Sequence, residues 1–465
     1  MPTKATGAPP SPSSSPTFRS DIRGAEVRKH NRREDLWISI HGRVYNITHY
    51  VDKHPGGWIP MCDLAGRDVT DAFENYHPSG VTQNFLPLFC VGELCDYSVP
   101  SLTARHRAFR QSLLERGMFQ TRMSFYVWNG VWYMLLLAMA FVLTICEESV
   151  SSHMAGALFL AAAWQQMSFF GHDMGHNAVT HTRALDYKWG IILCNPLGGV
   201  ALGWWKRSHN VHHVVCNSIE DDPDIQHLPL MAVDTGIFAK YFSTYNQREM
   251  AMDAVARAAV SYQHVVYFPL MALARFNLYI QSYLLLLSRE KCQHRRLEIM
   301  GLIVFGCWYP TLLYTALGSW QEILAYMLIS HGVAGILHVQ ITISHFAEAC
   351  TSNANQEEEW LLRQTSTSLN VACESYMDWF HGGLQFQVEH HMFPRLPRHN
   401  LRAVRNDFKA FMEANSLVYD EMPFVDCVAR VMKKLREVAV TARGLKQGNG
   451  GYWESALHSG LNAIG

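Results

Sequence analysis

Beyond Pro100 the chain alternates between long apolar runs and short polar breaks. The run "FYVWNGVWYMLLLAMAFVLTI" (125–145) carries no charge and is long enough to cross a bilayer. After the acidic break "CEESVSS" comes "HMAGALFLAAAWQQMSFFG" (153–171). Two further runs, 299–318 and 320–343, are joined almost without a loop. The spacing predicts four spanning helices in two hairpins. A fifth run, 265–287, carries Arg275, Asn277 and Gln281. If it crossed, everything after it would change sides. The basic break "SREKCQHRR" is expected in the cytosol and "CEESVSS" in the lumen. Both hold if 265–287 lies along the interface or re-enters. The run 190–205 is too short to cross and is also read as interfacial. Both chain termini are then expected in the cytosol.

Before Pro100 the pattern is that of a small soluble α+β domain. "DLWISIHGRVYNI" has strand character around a central Gly turn. The first residues, "MPTKATGAPPSPSSSPTF", are Pro/Ser-rich and lack the apolar stretch of a signal peptide. The expected organisation is a disordered tail (1–20), a soluble domain (21–98), a linker with a cytosolic helix (99–120), an all-α membrane domain with a cytosolic helical cap (121–430) and a cytosolic C-terminal tail (431–465).

Composition fits this division. Charged residues make up 17% of the 465, below the roughly 25% of soluble domains, which favours membrane burial. A net charge of -1 offers no cationic surface for nucleic acid. The 11 cysteines include no CxxC pair and read as free thiols. No retention tetrapeptide or lipidation motif is visible at the C-terminal end.

Histidine changes the picture, with 24 residues, many of them grouped. In the soluble part, "HPGG" places His54 before two glycines, and "ENYHPSG" supplies His77. Two imidazoles on opposite faces of a haem give a six-coordinate iron that passes single electrons. His30, His41 and His49 read as surface residues. In the membrane part, "HDMGH" gives His172 and His176, "HNVHH" gives His209, His212 and His213, and "QVEHH" gives Gln387, His390 and His391. Spacings of three and four put rings on one helix face. His345 ends the fourth apolar run. So many neutral donors exceed the need of one metal ion and imply two, and imidazole suits iron or zinc. His181, His264, His331, His338 and His381 read as ordinary core or surface residues. The acidic stretch Glu220–Asp224 is either a set of partners for ligand rings or a solvated turn. Trp204, Trp205 and Trp379 flank the clusters and are expected to line an apolar tunnel or sit at headgroup level.

A haem carrier fused to a two-iron centre would pair a one-electron supply with an oxygen-activating site, and membrane burial points to a lipid chain as substrate. Removing two vicinal hydrogens gives an alkene, while returning oxygen gives an alcohol. The residues alone leave both open.

The segments "DLWISIHGRVYNIT", "HPGG", "LAGRDVTDAF" and "HPSG" closely resemble cytochrome b5, which implies a b-type haem held by His54 and His77. Together with "HDMGH", "HNVHH" and "QVEHH", this resembles the cytochrome b5-fusion front-end desaturases. The fold class implied is a cytochrome b5-like α+β domain followed by an all-α membrane desaturase domain. The resemblance implies two non-haem irons held by His172, His176, His209, His212, His213, His345, His390 and His391, with Gln387 where other membrane desaturases place a histidine. It also implies O2 as oxidant, NADH–cytochrome b5 reductase as partner, and a multi-pass place in the endoplasmic reticulum membrane with the active site cytosolic. "WWKRSHNVHHVVCNSIEDDPDIQHLP" and "YWESALHS" are similar to the plant sphingolipid delta-8 desaturases, which act on the long-chain base. Acyl-lipid delta-6 desaturases share these stretches and supply the alternative substrate. A lipid hydroxylase and a non-catalytic membrane haem protein are the remaining alternatives.

Overall fold

The computed structural model describes residues 18–352 and 359–445. Most of the expected N-terminal tail, and the terminal stretch with "YWESALHS", lie outside the described residues. The chain divides into two compact units between Pro100 and Ser101.

The first unit is built on a five-stranded sheet of order β1-β5-β4-β3-β2. The strands are β1 (Arg19–Ile22), β2 (Asn31–Arg32), β3 (Asp35–Ile40), β4 (Arg43–Asn46) and β5 (Cys90–Leu94). β3 and β4 pair antiparallel, from Trp37 opposite Asn46 to Ile40 opposite Arg43. Their turn is the glycine turn expected from "IHGR". Leu36, Ile38 and Ile40 of β3 form one core with Val51, Ala65 and Leu86. Helices α1 (Ile59–Asp63) and α2 (Thr70–Tyr76) follow, and His77 ends α2.

The second unit opens with α3 (Ser101–Glu115) and the hairpin α4 (Met123–Ile145) and α5 (Val150–Gly175). Then come α6 (Arg183–Gly198), α7 (Leu202–Val215), α8 (Gln263–Leu287), α9 (Arg295–Ala316), α10 (Trp320–Ala334) and α11 (Ile336–Thr342). α4, α5, α9 and α10–α11 alternate in direction. At one end of this bundle, buried His153 of α5 meets Glu322 of α10 at 2.5 Å and the Glu147 carbonyl at 2.8 Å. Thr144 and Tyr326 meet there as well, at 3.1 Å. At the other end α5 and α11 run out into the histidine segments.

Among the described residues, four helices are long and apolar enough to cross a membrane: α4, α8, α9 and the continuous Trp320–Thr342. Three match expected spans. The run 153–171, expected as the fourth, does not qualify, because α5 spends positions on polar side chains that bond inward. Gln165 and Gln166 donate to the carbonyls of Phe380 and Trp379, both at 2.8 Å. Conversely, α8 qualifies, although 265–287 was expected at the interface. Both of its ends are nevertheless fastened on the histidine side. Gln263 bonds Ala232 and the Leu435 carbonyl, and the carbonyls of Leu285 and Leu286 accept from Arg295, where α9 starts. Between these ends α8 dips into the bundle, where Phe276 stacks on His331 at 4.4 Å.

Helices α12 (Gln387–Met392), α13 (Arg398–Ala414) and α14 (Phe424–Gly444) build the cap. α13 turns Leu401, Val404, Phe408 and Met412 into a core with Leu113 and Phe393. Residues from 431 on, expected as tail, instead continue α14 up to Gly444. Their Val431, Leu435, Val438 and Ala442 form an apolar stripe at helical spacing, packed against Ala232, Tyr267 and Ile343.

Candidate metal and haem centres

In the first unit, the rings of His54 and His77 face each other with centroids 5.9 Å apart. The Nδ1–H of His54 donates to the Gly57 carbonyl at 3.1 Å, and that of His77 to the Phe73 carbonyl at 3.0 Å. A carbonyl only accepts, so each ring carries its lone pair on Nε2, the nitrogen an axial ligand needs. A Cβ on Gly56 would lie 2.9 Å from His54 Cε1. Glycine there lets the ring keep its place.

In the second unit, three separate helices bring the grouped histidines together. α5 carries His172 and, at its C-cap, His176; α7 carries His209, His212 and His213; α12 carries His390 and His391. Gly175 allows the close approach of α7, since a Cβ there would lie 1.9 Å from the ring of Trp205. Trp205 in turn packs on His209 at 4.3 Å.

The donors form two groups whose ligand atoms all lie within 4.8 Å of one another. One is His172, His176, His209, His213 and His390; the other is His212, Cys216, His345 and His391. The groups adjoin where His213 stacks on His391 at 4.1 Å. All eight expected imidazoles are brought together. Gln387 is buried beside them, and its side chain reaches the His345 ring. Cys216 was not foreseen, although "HHVVC" places it four residues after His212, one helical turn on.

Buried partners orient these rings. His212 Nδ1 lies 2.9 Å from Asp222, whose carboxylate also accepts from the backbone N–H groups of Asn217 and Asp224. Asp222 is fully buried, so for this residue the solvated-turn reading of Glu220–Asp224 gives way to ring orientation. His345 Nδ1 donates to the Thr367 carbonyl at 3.0 Å. His391 Nδ1 donates to Gln364 Oε1 at 3.1 Å, while Gln364 Nε2 donates to the His213 carbonyl at 3.0 Å. Nothing in the sequence singled out Gln364 or Thr367, because their contacts come from folding. Glu389, between Gln387 and the paired histidines, turns away to accept from Asn370 and Tyr419, both at 2.7 Å.

Burial, with repulsion among neighbouring imidazoles, holds His176, His209, His213, His390 and His391 well below the ordinary histidine range. His345 is pushed down to about 3 by burial and by His212. His212 is the exception: burial opposes its charge, but Asp222 and Asp224 raise it to about 9. Neutral imidazoles keep the lone pairs that metal binding needs. Nε2 of His172, His176 and His391 and Nδ1 of His213 are buried with no hydrogen-bond partner. Unpartnered ring nitrogens clustered in this way fit a pair of metal ions.

His172, His209, His212, His345 and Gln387 line a cavity of about 530 Å³ whose other walls include Leu270, Leu278, Leu337 and Ile341. Trp204 and Trp205 line it too, as expected, whereas Trp379 is 60% exposed. Of the histidines read as ordinary, His181, His264, His331 and His381 belong to neither metal group, and His338 lies in the cavity wall. All eleven cysteines are free.

Two family profiles match the chain. The first is the cytochrome b5-like haem/steroid binding domain, over residues 23–95, and the second is the fatty acid desaturase, over 149–423. A Helianthus annuus protein named delta(8)-fatty-acid desaturase is 40% identical over 424 residues, 91% of this chain and 92% of that one. An acyl-lipid (9-3)-desaturase of Borago officinalis is 35% identical over 424 residues, covering 91% and 94%. A delta 8-(E)-sphingolipid desaturase of Lachancea kluyveri is 37% identical over 405 residues, covering 84% and 70%.

Proposed function

Since the chain belongs to the fatty acid desaturase family and carries a cytochrome b5-like haem domain, we propose that this oxidoreductase introduces a double bond into the long-chain base of sphingolipids at the delta-8 position. The observation that carries the reading is the convergence of eight imidazoles, four of which, His172, His209, His212 and His345, line a lipid-sized apolar cavity. The relatives named for delta-8 desaturation supply the position.

The chain's cofactors are a haem and two non-haem irons. His54 and His77 hold the haem. His172, His176, His209, His213 and His390 would hold one iron, and His212, His345 and His391 the other, with Cys216 and Gln387 beside them. When bound, the irons supply oxygen-activating chemistry able to remove hydrogen from an unactivated methylene, and the haem supplies electrons singly. The residues around them set the conditions. Asp222, Thr367 and Gln364 fix the planes of three rings, while Leu270, Leu337 and Ile341 exclude water from the bound chain. NADH–cytochrome b5 reductase is the proposed electron donor and the endoplasmic reticulum membrane the proposed site, with the histidine end of the bundle facing the cytosol.

The acyl-lipid relative from Borago officinalis matches over as much of the chain, which makes a delta-6 acyl-lipid desaturase the second reading. Mass spectrometry of sphingoid bases and acyl chains from yeast expressing the chain separates the two. The proposal expects new double bonds in the long-chain base. New bonds confined to acyl chains select the second reading, and new hydroxyls without double bonds reject desaturation.

A further inference from the structure

The cavity has a polar rim at its histidine end. The loop 219–226 follows α7, and a hairpin of β6 (Tyr241–Ser243) and β7 (Arg248–Met250) lies beside it. Thr244, at the turn of this hairpin, is held to the loop. Its N–H donates to the Glu220 carbonyl at 2.9 Å and its Oγ1 to Asp221 at 2.5 Å. The next residue of the loop, Asp222, orients His212. The hairpin is therefore fastened beside the metal donors, outside the spanning helices. Ser208, Asp224, Gln226, Asn246 and Arg248 line the cavity there, whereas Met167, Leu273, Leu278 and Leu337 line it between the helices. Burying a polar group among such apolar side chains costs free energy, so a lipid with its chain between the helices keeps its polar end at the rim.

The hydrogen bonds of the rim fix which way the Asn246 amide points. A carbonyl only accepts, so Gln226 Nε2 is the atom that donates to the Ile219 carbonyl at 2.9 Å. Gln226 Oε1 is then the acceptor, taking Ser243 Oγ at 2.6 Å and Asn246 Nδ2 at 3.2 Å. The backbone N–H of Asn246 donates to the same Ser243 Oγ at 2.9 Å. Gln226 and Ser243 are buried, which makes this a firm frame. With Nδ2 turned to Gln226, Asn246 presents Oδ1 as an acceptor on the cavity wall, and no donor among the described residues bonds it.

We propose that this rim is the subsite for the polar end of a ceramide, with Asn246 Oδ1 accepting a hydrogen bond from a donor on the first three carbons of the long-chain base. Those carbons carry two hydroxyls and an amide N–H. An acyl chain esterified to glycerol offers only carbonyl and ester oxygens at the corresponding end, and these accept without donating. Two facing acceptors stripped of water leave each other unpaired. Arg248 lies on the same rim, but a donor serves an amide carbonyl and an ester carbonyl alike and does not separate the two lipids. Discrimination falls to Asn246. The proposal rests on the sphingolipid reading above and adds the group that selects the lipid class.

The test uses membranes holding the full chain, supplied with dihydroceramide or with its 1-deoxy, 3-deoxy or N-methyl analogue, each lacking one donor. The wild-type protein is expected to lose about tenfold in kcat/KM on one of the three, the effect of leaving a buried acceptor unpaired, and that analogue identifies the donor. Asn246→Leu should lose about as much on dihydroceramide and nothing further on that analogue. Asn246→Asp, which keeps an acceptor, should retain part of the preference. Iron content and haem absorbance should match wild type in both variants. A wild-type protein that turns over all three analogues as well as dihydroceramide would overturn the assignment. So would an Asn246→Leu protein that loses equally on dihydroceramide and on the discriminating analogue. A wild-type protein inactive on dihydroceramide but active on acyl chains would instead overturn the sphingolipid reading itself, and this subsite with it.

Discussion

The Nε2 atoms of His213 and His390, from different helices, lie 3.1 Å apart in a buried space. His209 Nε2 lies 3.0 Å from the same His213 atom. Two metal–imidazole bonds of about 2.1 Å at right angles would place their nitrogens about 3 Å apart. Facing lone pairs repel without a cation between them. His390→Ala is therefore expected to lower bound non-haem iron and abolish the lipid product while leaving haem absorbance intact. Iron analysis of purified protein, beside the visible spectrum, measures both.

Asp222 holds the His212 ring and, with Asp224, raises it to about 9. Asp222→Asn should reduce activity by about 10–100-fold, the usual cost of losing a partner that orients a ligand. Asp224 lies farther out, 3.8 Å from His212 and 4.0 Å from His209, and Asp224→Asn should cost less. Turnover of the two variants at equal iron loading ranks them.

The haem domain should fail independently of the metal centre. His54→Ala or His77→Ala is expected to remove the haem absorbance and leave non-haem iron near wild type. Loss of both cofactors together would contradict separate sites.

Gly175→Ala forces a Cβ to within 1.9 Å of Trp205 unless α5 and α7 part. Overpacking of this kind costs about 1–3 kcal/mol. Thermal unfolding in detergent should show a lower midpoint, with iron lost alongside.

The metal-free protein should be acid-sensitive. His176, His209, His213, His390 and His391 are held below the unfolded value, near 6.5, by burial and mutual repulsion. As pH falls through that value the unfolded chain gains protons that the folded chain does not, so folding weakens. His212 has the opposite sign: its contribution is full below the unfolded value and is lost as pH rises through about 9. With His345, pushed down to about 3, six groups outweigh one, so chelator-treated protein should unfold at lower temperature at about pH 5.5 than at about pH 8. Iron-loaded protein should vary less over the same range.

The sequence made the donors legible but not their supports. His172 and His176, or His390 and His391, stand out because ligand pairs follow helix periodicity, which is local. Gln364 and Thr367 bind ligand rings through contacts that exist only after folding, so no spacing announces them. The spans divided along the same line. α4 and α9 hold long uncharged runs, 123–145 and 299–316, whereas α5 hides Gln165 and Gln166 against backbone carbonyls and so falls below the apolarity of a typical span. The part of α14 from residue 431 on reads as tail because its charged face, with Lys433 and Arg436, masks the Val431–Ala442 stripe.

α8, pinned at both ends on one side of the bundle, acts as a sill rather than a pillar. A cavity floored in this way would open to a single monolayer, the one level with the metal site. A lipid in the opposite monolayer would then be beyond reach until it flipped across, and the distribution of substrate between the two monolayers would govern how much of it is ever desaturated.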